Sequence, residues 1–221
     1  FDFNLGFLIQ KEYDPSVFFL PVDFIYLVLL GIIIGIFAEL YSRYVLLMQN
    51  LGKKWYKNKF VLKMSICGLI LGSIYSFLPS TFHNLDELQK VIAEQNTSIG
   101  IALLAVLVLF ITTGLAAASG APGGLFYPML TLGGSIGLIM GSWVEIATGH
   151  APSTYIFAGM GAFVAGCSRT PITAMFLAFA LTKNLLIMKP VLISCIASFL
   201  IARAFNEESI YERQIQIELE D

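Results

Sequence analysis

The chain has 221 residues, 57% of them hydrophobic and 13% charged, with a mean hydropathy of +0.79. So little polar material could not cover a water-soluble domain of this size, and the composition places the chain in a lipid bilayer. A formal net charge of -2 is too small to suggest nucleic acid or any other strongly charged partner, so no nucleic-acid partner is expected.

Residues 1–21 mix polar and aromatic side chains around Pro15 and Pro21 and read as an exposed linker. The chain opens on Phe1, and no basic, apolar and small-residue layout of a signal peptide follows, so it is expected to begin partway through a longer protein. Residues 22–205 form the expected transmembrane region. Val22 to about Val45 and Val61 to Leu78 are apolar for long enough to span. Between and just beyond them lie Lys53, Lys54, Lys57, Lys59 and Lys63, a basic loop that belongs on the cytoplasmic side. The stretch from His83 to Glu94 then falls outside, and Ile99 to Ala118 is a third long apolar segment.

After Ala118 the spacing changes. Leu125 to Ala147 is interrupted by glycines, and Tyr155–Gly166 and Ile172–Leu181 are well short of the roughly 20 residues a straight span needs. Helices that end inside a membrane must be buried in protein or line a watery path, so this region is expected to hold a site. Leu185 to Ala204 is again full length, and residues 206–221 alternate charged and aliphatic residues as a short C-terminal helix would. Small residues four apart at Gly31/Gly35, Gly68/Gly72 and Gly133/Gly137/Gly141 predict close helix packing.

The run Ser119-Gly120-Ala121-Pro122-Gly123-Gly124-Leu125-Phe126-Tyr127-Pro128 is a flexible loop where a membrane protein should be most apolar. Its glycines let backbone N–H groups converge, and the helix beginning at Leu125 would aim its positive dipole end at the same point. A small anion or a catalytic oxyanion would suit such a loop. Between Glu94 and Arg169 the only Asp, Glu, Lys or Arg is Glu145, so an anion here would meet dipoles and hydroxyls, which bind weakly enough to release it.

The remaining polar residues have plainer readings. Glu145 beside Trp143 reads as an interfacial anchor, and Glu39 with Arg43 as an ion pair across one helical turn. Thr170-Pro171 reads as a helix N-cap and first residue, with Arg169 just outside. Cys67, Cys167 and Cys195 are widely spaced and read as buried free thiols. His83 and His150 have no second ligand at metal spacing, so no metal site and no cofactor are expected. Ser119 lacks a histidine in its segment to activate it, and no intramembrane aspartate pair or His-Glu-x-x-His is present, which argues against an enzyme.

Gly-Leu-Phe-Tyr-Pro at 124–128, preceded by Ser-Gly-Ala-Pro-Gly, resembles the Gly-x-Phe-x-Pro motif of the CLC chloride channels and transporters. Gly-Met-Gly-Ala-Phe at 159–163, Ser-Arg-Thr-Pro-Ile-Thr at 168–173 and Ser-Ile-Tyr-Glu at 209–212 follow in the family's order. The resemblance implies an all-α polytopic membrane protein with tilted and partly discontinuous helices, corresponding to the second of two inverted repeats plus the final helix. It implies chloride as substrate, bound by the backbone N–H groups of Leu125 and Phe126 and the hydroxyl of Tyr211. Gly123, Gly124 and Pro128 would shape the site, with Gly124 giving the backbone its turn and Pro128 leaving no stray donor. Taken without the resemblance, Tyr211 reads as an interfacial anchor.

The family's gating and proton-transfer glutamates and its other anion-binding segment belong to the first repeat and have no counterpart here. The expected activity is proton-coupled chloride exchange, with a passive voltage- or proton-gated chloride channel as the alternative and a non-transporting scaffold subunit as the remote one. The exchanger is preferred by analogy with prokaryotic members that lack a regulatory tail, which also implies the prokaryotic inner membrane. Protons, membrane lipid and a second copy of the chain in a homodimer, with residues 172–204 as candidate interface, complete the implied partners.

Overall fold

In the computed structural model, which describes residues 21–55, 60–93, 98–120, 123–149 and 154–219, the long apolar runs form helices and no strand occurs among the described residues. The expected linker therefore lies almost wholly outside the described residues, as do Lys57, Lys59, His150 and the loop residues Ala121 and Pro122. The helices are α1 (Pro21–Trp55), α2 (Phe60–Ser76), α3 (Leu85–Ala93), α4 (Ile99–Ser119), α5 (Phe126–Thr148), α6 (Thr154–Ser168), α7 (Pro171–Thr182), α8 (Met188–Phe205) and α9 (Ile210–Leu219). Short 3-10 turns precede α3 and α8.

Among the described residues, four stretches are long and apolar enough to cross a membrane: Asp23–Lys54, Ile99–Ser119, Phe126–Thr148 and Leu185–Leu219. The last contains both α8 and α9, which are separated at residues 206–209. The protein is an integral membrane protein.

Three segment boundaries differ from expectation. First, α1 runs ten residues past Val45, to Trp55. Gly52 makes this possible, since a Cβ there would stand 2.1 Å from the Ala118 carbonyl oxygen, so α1 and α4 meet backbone to backbone. Lys53 and Lys54 thus lie in the last turn of a helix, where cations complement its dipole, rather than in a loop. Second, α2 has 17 residues, fewer than the roughly 20 of a straight span.

Third, α5 is one unbroken helix of 23 residues despite its glycines. They are contact points: a Cβ on Gly133 would stand 2.3 Å from the Gly159 carbonyl oxygen, and one on Gly137 2.3 Å from that of Tyr155. With no side chain at the crossing, α5 and α6 pack at backbone distance.

α6 is the centre of the bundle, packed against α1, α5, α7 and α8. Its 15 residues reach only about 22 Å, short of a bilayer core of about 30 Å, but every residue from Tyr155 to Cys167 is buried in protein. α1 and α8 cross in the same close manner, with Gly31 against the Ser194 carbonyl and Gly35 against that of Ser198. The Ser194 hydroxyl donates to the Leu27 carbonyl (3.1 Å) and the Ser198 hydroxyl to that of Ala162 (2.7 Å), stitching α8 to α1 and α6.

The packing expected at Gly68 and Gly72 is not found, because a Cβ at either would meet nothing within 4 Å. α2 packs on α4 alone among the helices with substantial contact, and for the same reason Cys67 is only half-buried, unlike Cys167 and Cys195. All three thiols are free.

These crossings make a paired prediction for the full-length protein in detergent. Gly137→Ala is expected to lower unfolding stability by about 1–3 kcal/mol through overpacking. Gly68→Ala, in open helix, should instead be neutral or slightly stabilising, by up to about 1 kcal/mol. Thermal or denaturant unfolding reads both, and equal effects at the two positions would contradict the assigned contacts.

Candidate anion site

α4 ends at Ser119, and Gly120 caps it in the left-handed region (φ 72), its N–H bonded to the Ala117 carbonyl at 3.2 Å. The Ser119 hydroxyl donates back to the Ala116 carbonyl (2.7 Å), which ties it to its own helix. Gly123 and Gly124 are exposed, Leu125 occupies the N-cap position and α5 begins at Phe126. The first ladder bond runs from the Met129 N–H to the Leu125 carbonyl (3.1 Å). The N–H groups of Leu125 and Phe126 therefore precede the ladder, at the positive end of a 23-residue helix. Pro128 is buried in the first turn and has no N–H to leave unpaired.

The turn expected of Gly124 falls elsewhere. Among the described residues only Gly120 and Gly149 are glycines with positive φ, so Gly120 makes the left-handed turn. A Cβ on Gly124 would meet nothing within 4 Å, and its backbone demands no glycine. Its bareness leaves space beside the loop.

That space is a cavity of about 730 Å³ whose wall includes Gly123, Gly124, Leu125 and Pro128. α4 contributes Thr112 and Thr113, and Tyr75 reaches the wall from α2 with its hydroxyl 3.5 Å from that of Thr112. α9 contributes Gln214 and Glu218. Phe126 and Tyr211 are not part of the wall. Phe126 packs half-buried against the core, edge-on to Tyr127 at 6.3 Å. Tyr211 lies in the first turn of α9, 39% exposed, and Gln214 and Glu218 three and seven residues further share its side of the helix. The structure thus brings Gly123, Gly124, Leu125 and Pro128 together, and sets Tyr211 on a helix bordering the same cavity.

A second difference concerns charge. The segment between Glu94 and Arg169 is as poor in charge as its sequence implies, yet Lys53, Lys63 and Glu218 enter the cavity wall from other helices. The Lys53 ammonium donates to the Ile217 carbonyl (3.0 Å) and the Gln214 amide to the Gln49 side chain (3.3 Å), so α9 is strapped to the end of α1.

The largest feature missing from the sequence reading is the surroundings of Glu39. The expected Arg43 pair is present at 2.9 Å, but Arg43 is largely exposed and is only one of three partners. Arg213 of α9 clasps both carboxylate oxygens at 3.1 Å each, and Arg169 donates to one of them at 2.8 Å. Arg169 also donates to the carbonyls of Ala202 and Asn206 (3.0 Å each) and to that of Gly166. It adopts φ 62, a backbone conformation that costs a non-glycine residue about 1–2 kcal/mol, and these contacts hold it there.

Thr170 does sit at the N-cap position of α7 with Pro171 first in the helix, but its hydroxyl faces that of Ser168 (2.6 Å) instead of capping. Ser209 and Glu212 form a reciprocal capping box at the start of α9, with the Ser209 N–H on the Glu212 carboxylate (2.7 Å) and the Glu212 N–H on the Ser209 hydroxyl (3.2 Å). The Ser-x-x-Glu spacing was the signal for that box. Nothing in the local sequence announces a pairing between residues 39 and 213.

No group of three or more metal-ligating side chains occurs among the described residues. His83 instead contacts the Tyr75 carbonyl at 2.9 Å.

The sequence profile described as voltage gated chloride channel matches residues 4–203. The chain belongs to that family, the CLC family. The profile match stops before α9. An H(+)/Cl(-) exchange transporter ClcA of Vibrio parahaemolyticus is 29% identical over 191 residues, covering 84% of this chain and 41% of that protein. One from Klebsiella pneumoniae is 30% identical over 203 residues, covering 89% and 43%. The chain therefore spans less than half the length of these curated relatives. Among solved structures, a slow cyanobacterial Cl-/H+ antiporter superposes with a TM-score of 0.80 at 23% identity, over 96% of this chain and 49% of that one. A eukaryotic CLC transporter gives 0.73 at 21% identity, over 91% and 36%. These two likenesses establish the CLC fold.

The two loop glycines should separate on substitution in the full-length protein. Gly120→Ala is expected to cost about 1 kcal/mol of stability because of its positive φ. Gly124→Ala should leave stability within about 0.5 kcal/mol of the parent. A melting curve of each in detergent checks this, and a destabilised Gly124→Ala would restore the turn to residue 124.

Proposed function

We propose that this chain supplies one half of an anion pathway and that the whole protein exchanges chloride for protons across the prokaryotic inner membrane. The observation that carries the reading is the loop at Gly123–Leu125. It presents the start of a 23-residue helix to a cavity, with Pro128, which has no N–H, in the first turn. Neutral N–H donors hold a small anion without trapping it. The ligands in this reading are the N–H groups of Leu125 and Phe126 and the hydroxyl of Tyr211, with Gly123, Gly124 and Pro128 shaping the approach. Exchange is favoured over passive conduction because the similar curated proteins are named as exchangers. The family's own description keeps a gated channel as the second reading.

A homodimer belongs to the same proposal. Ile172 and Phe176 of α7 and Leu200 of α8 are each more than half exposed, on the stretch from 172 to 204 where a second copy would pack. Lipid would cover the remaining apolar surface.

Tyr211→Phe in the full-length protein tests the site. Loss of one hydrogen bond to a charged ligand is worth about 1.5 kcal/mol, so chloride affinity measured by calorimetry should fall roughly tenfold. Unchanged affinity would remove Tyr211 from the site. Proton uptake driven by a chloride gradient in proteoliposomes is expected for the exchanger, and chloride flux with no proton movement would select the channel.

A further inference from the structure

The Glu39 cluster is not accounted for by chloride binding, and its geometry leads to α9. Among the described residues, the buried side chains of α9 are those of Ile210 and Arg213 alone. A helix of 10 residues with so little apolar anchorage is held chiefly by its polar contacts. Beyond the Gln214 and Ile217 straps to α1, the charged contacts converge on its first turn. Arg213 grips Glu39 with both terminal nitrogens, and Arg169, bound to the same carboxylate, holds the Ala202 and Asn206 carbonyls just before the helix starts. The Ser209–Glu212 capping box then fixes the helix entry. Tyr211 lies inside this clamp, two residues from each of Ser209 and Arg213.

We infer that Glu39 is a positioning residue for Tyr211, acting through Arg213 and Arg169 to fix the hydroxyl against the anion path. The inference rests on the proposed role of Tyr211. Glu39 touches no ligand. Its carboxylate is 4% exposed and is the shared acidic partner of two guanidiniums whose side chains are 7% and 10% exposed. The Nε atoms of both arginines are buried with no hydrogen-bond partner, so each is oriented through its terminal nitrogens: Arg213 grips Glu39 with both, and Arg169 bridges Glu39 to the backbone carbonyls of Gly166, Ala202 and Asn206. Glu39→Gln keeps the shape but removes the charge and one face of acceptance. The paired arginines then lose their common reference, and the start of α9 loses its register against α1 and α6.

A double-mutant cycle on chloride affinity in the full-length protein decides the point. Glu39→Gln is expected to weaken chloride binding roughly tenfold in the parent and to have almost no further effect in a Tyr211→Phe background. A purely structural role would give the same loss in both backgrounds, and that additivity would overturn the inference. If Glu39→Gln does not fold, Arg213→Lys, which keeps the charge but loses the two-pronged grip, carries the same cycle with an expected loss of about threefold. Should Tyr211→Phe alone leave affinity unchanged, the site assignment fails. If Tyr211→Phe weakens binding and the second substitution adds fully, only the positioning role fails.

Discussion

The arrangement turns on one carboxylate. Glu39 sits near the middle of a 35-residue helix and accepts hydrogen bonds from three arginines drawn from α1, the α6–α7 junction and α9. Removing that carboxylate would leave the buried guanidiniums of Arg169 and Arg213 uncompensated, a change that typically costs about 3–5 kcal/mol. Replacing the whole cluster with apolar residues can be nearly neutral, so ion pairing by itself is a weak reason for its presence. What an apolar replacement would not supply is direction. A two-pronged guanidinium grip fixes both distance and rotation of α9 on α1, whereas aliphatic contacts would let a short helix slide.

This anchor is useful because the remainder of the bundle is held by a different force. Lipid tails are as apolar as leucine, so the helices gain little from hiding hydrophobic side chains from each other and must rely on close approach. Gly133, Gly137 and Gly159 let α5 and α6 meet at backbone distance, and Gly31 and Gly35 do so for α1 and α8. Such crossings are rigid, and they allow α6 to end inside the protein with every residue from Tyr155 to Cys167 enclosed. α9 has no glycine and no such crossing among its ten residues. Its position is set by charge and by the Lys53 and Gln214 straps, not by packing density.

Much of this was legible in the sequence because it is local. Apolar run length gave most of the helices, the Gly-Gly-Leu-Phe-Tyr-Pro run marked the start of α5, and glycine spacing marked the faces of α1 and α5. The failures are of two kinds. Some came from taking the apolar run as the helix: the run ends at about Val45, but Gly52 is the contact that carries α1 across α4 to Trp55. The glycines of α5 likewise look like interruptions when each one is hidden against α6. Others need tertiary structure. Residues 39 and 213 are 174 positions apart, and Lys53, Lys63 and Glu218 reach the cavity from helices that sequence spacing cannot bring together. Gly68 and Gly72 carry the same spacing as Gly31 and Gly35 and face open space, so small-residue spacing identifies a helix face without identifying a partner.

The lysines change how the loop should be viewed. In the proposed pathway a neutral loop alone would hold an anion weakly and also collect it poorly, since dipoles fall off faster with distance than full charges. Two lysines on the wall of the same cavity raise the local anion concentration at longer range, and Glu218 offsets part of that attraction. The roles are thus divided. Full charges, partly screened and already engaged with protein groups such as the Ile217 carbonyl, attract without gripping. N–H groups at the end of α5 grip at short range without full charge. An ammonium placed at residue 124 or 125 would merge the two roles, deepening the well until release became slow. The bare backbone at Gly123 and Gly124 keeps a cation out of that position and leaves the donors of the helix end to do the binding.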